Sequence, residues 1–267
     1  QVQSPGACHV YTVEQSASNP EVVWAGTATA GLWKSTDHGM SWALMTRDLA
    51  VTSVYSIAID PMDAQRVWFG QGNGQMWGTE DGGATWAILG DGAFQATNRW
   101  YRDFLIGDST LFAASNAGLW RLAIGDESSG EPELVAGGEW MELAFNPGDS
   151  SIVYGVQMVG AGTVFKRSTD GGTTWQIAGS GWPTPAAGQE QKRTEIAVSP
   201  SAPDQVWALA AGSMEDTGGL FGIYKSEDGG DSFERVCCGD EPGQAWEAEI
   251  NPNILGWSED GTGDGGQ

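Results

Sequence analysis

Short runs in which apolar and polar residues alternate recur along the chain, and each run is cut by Gly, Asn-Pro, Asp-Pro or Ser-Pro. VYSIAIDP (54–61), MELAFNP (141–147) and TEIAVSP (194–200) share one form, and each leads into a more continuously apolar run: RVWFGQG (66–72), IVYGVQ (152–157) or QVWALAAG (205–212). Period-two alternation bounded by such punctuation predicts β-strands. Nothing in the pattern has the 3.6-residue period of an amphipathic helix, and no run of 18 apolar residues predicts a membrane-spanning one.

The runs belong to a larger repeat. STDHGMSW (35–42), TEDGGATW (79–86), STDGGTTW (168–175) and SEDGGDSF (226–233) share Ser/Thr-x-Asp-x-Gly followed, after two residues, by an aromatic. Their aspartates are 44, 89 and 58 residues apart, and the middle interval has room for a further, degenerate unit. That unit reads WYRDFLIGD (100–108), TLFAASN (110–116) and GLWRLAIGD (118–126), without the aspartate motif. Five units result, at about 9–45, 54–89, 98–126, 139–179 and 192–236, and 237–267 would start another unit or serve as a linker. Four short strands in 40–50 residues is the pattern of a propeller blade. The expected fold is therefore all-β: a β-propeller of four-stranded antiparallel blades in a single domain spanning 1–267.

Each motif predicts a tight hairpin between the third and fourth strands. Asp37, Asp81, Asp170 and Asp228 would accept backbone N–H groups across the turn, and Gly39, Gly83, Gly172 and Gly230 would supply a positive φ. Trp42, Trp86, Trp175 and Phe233 would fold beneath it. The aspartates are thus expected to be structural and not catalytic.

These four motifs and their frame resemble Asp-box (BNR-type) repeat propellers over residues 9–236. Sialidases, family 74 xyloglucanases, sortilin-type receptors and photosystem II assembly factors share that repeat. The resemblance extends to the sortilin-like and glycosyl-hydrolase-like secreted propeller proteins of Bacteroidetes-type bacteria, in which a segment similar to NPNILGWSEDGTGDGGQ (251–267) follows such units. Those proteins commonly carry a signal for type IX secretion, which is not found in this sequence. The resemblance implies a secreted or cell-surface protein, and five repeats suggest part of a six- to eight-bladed ring within a longer polypeptide.

Composition narrows the partners. With 12 Lys and Arg against 35 Asp and Glu, the net charge of −23 repels nucleic acid and anionic membranes. Gly numbers 40 of 267 residues and Trp 14, which suits tight turns joined to aromatic-rich strands. Three cysteines give no even framework: Cys8 bridging to Cys237 or Cys238, a Cys237–Cys238 ring, and free thiols are all compatible. Two histidines, His9 and His38, leave no Cys/His metal spacing and no room for a Ser-His-Asp triad. No cofactor is expected, with one candidate exception: Asp260-Gly-Thr-Gly-Asp264 offers oxygen ligands at alternate positions, as calcium loops do, or is a linker.

Function is expected in the loops opposite the aspartate turns, those joining strands 2–3 and 4–1. Arg99, Trp100, Tyr101, Arg102 and Asp103 stand together there. They form either an aromatic platform with charges, suited to sugar rings or a peptide, or the buried start of a first strand. Trp182, in the loop GSGWPTPAAGQEQKR (179–193), is expected to be exposed, and AGSMEDTGGLF (211–221) is the longest 2–3 loop. A glycosidase needs two facing carboxyl groups, and no motif selects a pair. The Phe/Tyr-Arg-Ile-Pro motif of sialidases is absent, and family 74 enzymes use two propellers. The sequence thus favours a non-catalytic module for protein or glycan binding, adhesion or extracellular assembly. A xyloglucanase-like or sialidase-like glycoside hydrolase is the alternative.

Overall fold

A computed structural model describes residues 9–72, 74–89, 99–107, 109–124, 132–185, 187, 189–214 and 217–237. The described residues are all-β, arranged as five four-stranded antiparallel sheets, each ordered 1-2-3-4 along the chain. The fold is a β-propeller built from four-stranded blades.

Two compact units divide the chain at Gly137/Gly138. The first holds three blades. Blade 1 comprises β1 (Val10–Gln15), β2 (Val23–Thr27), β3 (Leu32–Ser35) and β4 (Ala43–Leu44). Blade 2 comprises β5 (Val54–Asp60), β6 (Asp63–Gln71), β7 (Met76–Thr79) and β8 (Ala87–Ile88). Blade 3 comprises β9 (Tyr101–Gly107), β10 (Thr110–Ser115), β11 (Gly118–Ala123) and β12 (Glu133–Ala136). Its last strand lies beyond the 98–126 expected from sequence, because ELVA pairs with β11 without an aspartate turn to mark it.

The second unit holds blade 4, with β13 (Glu139–Asn146), β14 (Asp149–Val159), β15 (Gly162–Ser168) and β16 (Gln176–Ile177). It also holds blade 5, with β17 (Gln189–Ser199), β18 (Ala202–Met214), β19 (Thr217–Ser226) and β20 (Glu234–Cys237). Here the expected 211–221 loop is largely strand: β18 and β19 stay paired out to Met214↔Thr217.

Apolar faces meet between neighbouring blades, which is where the cores lie. Between blades 1 and 2, Trp24, Leu32, Val54, Ile57, Val67 and Phe69 form one cluster. Between blades 4 and 5, Tyr154, Val156, Phe165, Ile196, Val206 and Phe233 form another. Each sheet is too thin to bury its own faces, so stacking supplies the burial.

The four Ser/Thr-x-Asp-x-Gly turns share one hydrogen-bond set. The aspartate Oδ1 accepts the N–H of the residue four positions on, at 2.8–2.9 Å, in Asp37, Asp81, Asp170 and Asp228 alike. Oδ2 accepts the hydroxyl of that same residue at 2.5–2.6 Å. The leading Ser or Thr donates its hydroxyl to Oδ1 and accepts the N–H of Gly39, Gly83, Gly172 or Gly230. These donors hold all four carboxyls at a pKa of about 2, the side-chain hydroxyl at the fourth position contributing most. Two successive residues per turn have positive φ, and His38 at +57° is the one non-glycine among the eight. Trp42 and Trp175 donate their indole N–H to the carbonyls of Gly39 and Gly172, closing the turn from below.

Turns of this kind also join blade to blade. The carbonyl of Gly82 in blade 2 accepts Lys34 Nζ of blade 1 at 2.8 Å, and that of Gly229 in blade 5 accepts Arg167 Nη1 of blade 4 at 3.0 Å. Asp231 adds an ion pair to Arg167 at 2.6 Å.

Candidate functional site

Every first strand carries a register shift near its start. The residue left outside the ladder is Tyr11 in β1, Tyr55 in β5, Arg102 in β9, Met141 in β13 and Lys192 in β17. A bulge of this kind re-aims a side chain that regular pleating would direct elsewhere. In the first unit, where β1, β5 and β9 lie side by side, the bulged Tyr11 and Tyr55 join Trp100, which immediately precedes β9, in a row of aromatic rings. Tyr11 and Tyr55 have centroids 4.5 Å apart, tilted by 31°, and Tyr55 stacks on Trp100 at 5.8 Å with only 5° between planes. The Arg102 guanidinium lies 5.9 Å from the Trp100 centroid and ends the row with a cation.

Local geometry holds these rings. Trp100 donates its backbone N–H to Asn116 Oδ1 at 2.9 Å and accepts the Asn116 N–H at 3.2 Å, which fixes it to the turn between β10 and β11. Tyr55 lies over Gly72, where any Cβ would come within 2.6 Å of the phenol ring. Partial burial, and secondarily the neighbouring Tyr11, raises the Tyr55 phenol pKa. The hydroxyl therefore stays protonated at neutral pH and able to donate.

The five-residue cluster expected from sequence is split. Trp100 is 45% exposed, whereas Tyr101 is 1% exposed, packed against Gly70, and hydrogen-bonded to Gly74 O at 3.4 Å. Burial pushes its phenol pKa well up. Arg99 is buried with its guanidinium 4.6 Å over Trp120. Arg102 and Asp103 are half-buried. Tyr101 and Arg99 thus belong to the blade interior, while Trp100 is exposed with the half-buried Arg102 beside it.

Trp182 corrects the expectation of an exposed ring. It is half-buried, 5.2 Å from Phe165 and 4.9 Å from Phe233, and its indole N–H donates to Thr163 Oγ1 at 3.1 Å. The cause is the preceding segment, which pairs with the blade 5 turn: Ser180 N–H donates to Asp231 O at 2.9 Å, and Phe233 N–H to Ser180 O at 2.7 Å. Left-handed Gly179 and Gly181 make that pairing and drive Trp182 inward.

The calcium candidates Asp260 and Asp264, with Cys8 and Cys238, lie outside the described residues. Cys237 is in a disulfide whose other half also lies outside them. Among the described residues no three His, Cys, Asp or Glu side chains gather to hold a metal ion.

Sequence reasoning missed Tyr11 and Tyr55. Their one signal was a Val-Tyr pair at the same place in two units, 10–11 and 54–55. Stacking uses the inner ring faces of the row, while Tyr11 and Trp100 stay 37% and 45% exposed. The row offers edge-on donors and one cation to an acceptor-rich ligand, and stacking area only at its ends.

No family model matches the sequence, and no curated protein does. Solved structures do. An ancestral GH74 enzyme superposes with a TM-score of 0.63 at 17% identity, covering 90% of this chain and 34% of its own. The GH74 enzyme of Niastella koreensis gives 0.65 at 15% identity, covering 89% and 40%. YCF48 bound to D1 peptide gives 0.53 at 16% identity, covering 88% and 82%. At these identities the likeness establishes the β-propeller fold. The chain spans about a third to two fifths of the length of these two GH74 structures.

Proposed function

We propose that the protein is a non-catalytic propeller module that binds a protein or glycan ligand at the Tyr11–Tyr55–Trp100 row, with Arg102 as its charged end. The carrying observation is that row: three rings from three blades, two of them at bulges, with an exposed tryptophan at one end. Packing alone does not require Trp100 to remain 45% exposed. The edge-on presentation favours an extended peptide, whose carbonyls would meet the phenol and indole donors, over a flat sugar face. YCF48, a protein of the same fold, has been solved with a bound peptide.

The four aspartate turns are read as Asp boxes of the BNR type, and the protein as a sortilin-like secreted or cell-surface module, in keeping with its resemblance to type IX cargo. The disulfide at Cys237 supports an oxidising compartment. A calcium ion at Asp260 and Asp264 remains part of this reading.

The test is a peptide array and a glycan array probed with the protein and its Trp100→Ala variant, beside a hydrolysis screen on xyloglucan and sialosides. Binding without turnover, lost in Trp100→Ala, is expected. Hydrolysis abolished by substituting one carboxylate would replace this reading with the glycoside hydrolase.

A further inference from the structure

Two turn positions recur from blade to blade and are exposed in every case. One follows the second left-handed residue of each aspartate turn: Met40, Ala84, Thr173 and Asp231. The other follows the proline between a first and a second strand: Glu21, Met62, Gly148 and Ser201. Both positions lie at the same end of the antiparallel strands. Elsewhere their side chains are short or polar, as befits a turn tip in water. Met40 and Met62 depart from that pattern. At 84% and 86% they are the two most exposed large apolar side chains among the described residues.

Neighbouring blades do not cover these tips. Met62 belongs to blade 2, which packs on blade 1 through one core cluster and on blade 3 through another. Met40 has its counterparts in Ala84 and Asp231. Those two remain exposed although the preceding blade grips their turns through Lys34 and Arg167. Each turn is fixed by its backbone and not by its thioether. The Met62 N–H donates to Asp60 Oδ1 at 2.8 Å, and Asp60 Oδ2 is paired with Arg66 at 2.7 Å. The Met40 N–H donates to Asp37 O at 3.3 Å. Other methionines are core residues: Met76 and Met141 are 0% and 5% exposed, and Met45 and Met158 pack against the clusters.

We propose that Met40 and Met62 are modification sites at which a hydroperoxide oxidises the folded protein to the sulfoxide, reversibly and without loss of the fold. The thioether sulfur attacks one peroxide oxygen and the O–O bond breaks. Sulfur gives up two electrons and keeps that oxygen, while the other leaves as water or an alcohol. A dithiol reductase reverses the step, taking the oxygen off as water and ending as a disulfide. A sulfoxide is polar, so it disrupts a core but is at ease at a turn tip in water. The contrast between these tips and the buried Met76 and Met141 therefore sets where the oxygen goes. The proposal rests on the turns alone and is independent of any ligand at the aromatic row.

The test is a time course of the protein in dilute hydrogen peroxide, with oxygen uptake at each methionine read by peptide mass spectrometry. Met40 and Met62 should react at least about tenfold faster than Met76 and Met141, since susceptibility follows exposure. Once both have reacted, the urea unfolding midpoint should be unchanged. Methionine sulfoxide reductases for both epimers, supplied with a dithiol, should then return both thioethers. Met40→Leu and Met62→Leu, each at an exposed tip, should each remove one fast-reacting site and leave the other's rate as it was. Met40 or Met62 reacting no faster than Met76, a lowered midpoint after their oxidation, or sulfoxides that the reductases leave in place would overturn the proposal.

Discussion

Gly229 and Gly230 are adjacent in one turn and both left-handed, at φ of 68° and 85°, yet they should respond very differently to alanine. An L-residue in that region costs about 1–2 kcal/mol. At Gly229 this is the whole cost: the nearest atoms to an added Cβ are Tyr154 Oη at 3.6 Å and Asp204 Oδ1 at 3.8 Å, ordinary contacts. His38 already occupies the same place in blade 1. At Gly230 the Cβ would lie 2.6 and 2.7 Å from Phe165 Cε1 and Cζ, and that ring is fixed by Tyr154, Trp182 and Phe233. Overpacking of this kind adds about 1–3 kcal/mol. Gly229→Ala should therefore cost about 1–2 kcal/mol and Gly230→Ala about 2–5. The assay is urea unfolding followed by tryptophan fluorescence, with free energies taken from midpoints at constant m. Equal costs, or a larger one at Gly229, would refute the claim that turn and neighbouring blade are packed through the second glycine.

Three further outcomes follow from the same geometry. The four turn aspartates, with pKa lowered to about 2 from an ordinary 3.8, contribute stability that is complete above about pH 4 and is lost as pH falls toward 2; carboxyl NMR titration should find all four ionised at pH 3. Lys34→Met should lose about 1 kcal/mol by removing the bond to Gly82 O while keeping the stem over Trp24, read by the same urea assay. Trp182→Ala should destabilise by about 2–4 kcal/mol through its contacts with Phe165 and Phe233, whereas Trp100→Ala should stay within about 0.5 kcal/mol, which differential scanning calorimetry separates.

What was legible in the sequence was local. An aspartate turn is written in eight consecutive residues, because its donors, acceptor and left-handed glycines all lie within one hairpin. The alternating strands were equally plain, since burial on stacked faces repeats every second residue. Contacts that cross blades were not. Tyr11, Tyr55 and Trp100 are 44 and 45 residues apart and meet because two bulges turn the tyrosines out and Asn116 holds Trp100 just before β9, a feature no window of sequence displays. Trp182 looked exposed beside prolines at 183 and 185, but Ser180 bridges to the next blade's turn and carries it inward. The last strand of blade 3 was overlooked for the opposite reason: ELVA has no turn motif before it. Blade 5 shows the same limit, since residues 211–221 read as loop but largely continue the β18–β19 ladder.

The central claim is that the exposed row in the first unit binds a ligand without transforming it. Its most direct measurement is a two-dimensional NMR titration of the protein with the best peptide or glycan from the arrays, following the Trp100 indole and the Tyr11 and Tyr55 rings. The account predicts shifts confined to those rings and Arg102, an unchanged ligand spectrum over days, and no binding by Trp100→Ala. Shifts centred elsewhere with the row silent, or a ligand cleaved during the titration, would contradict it.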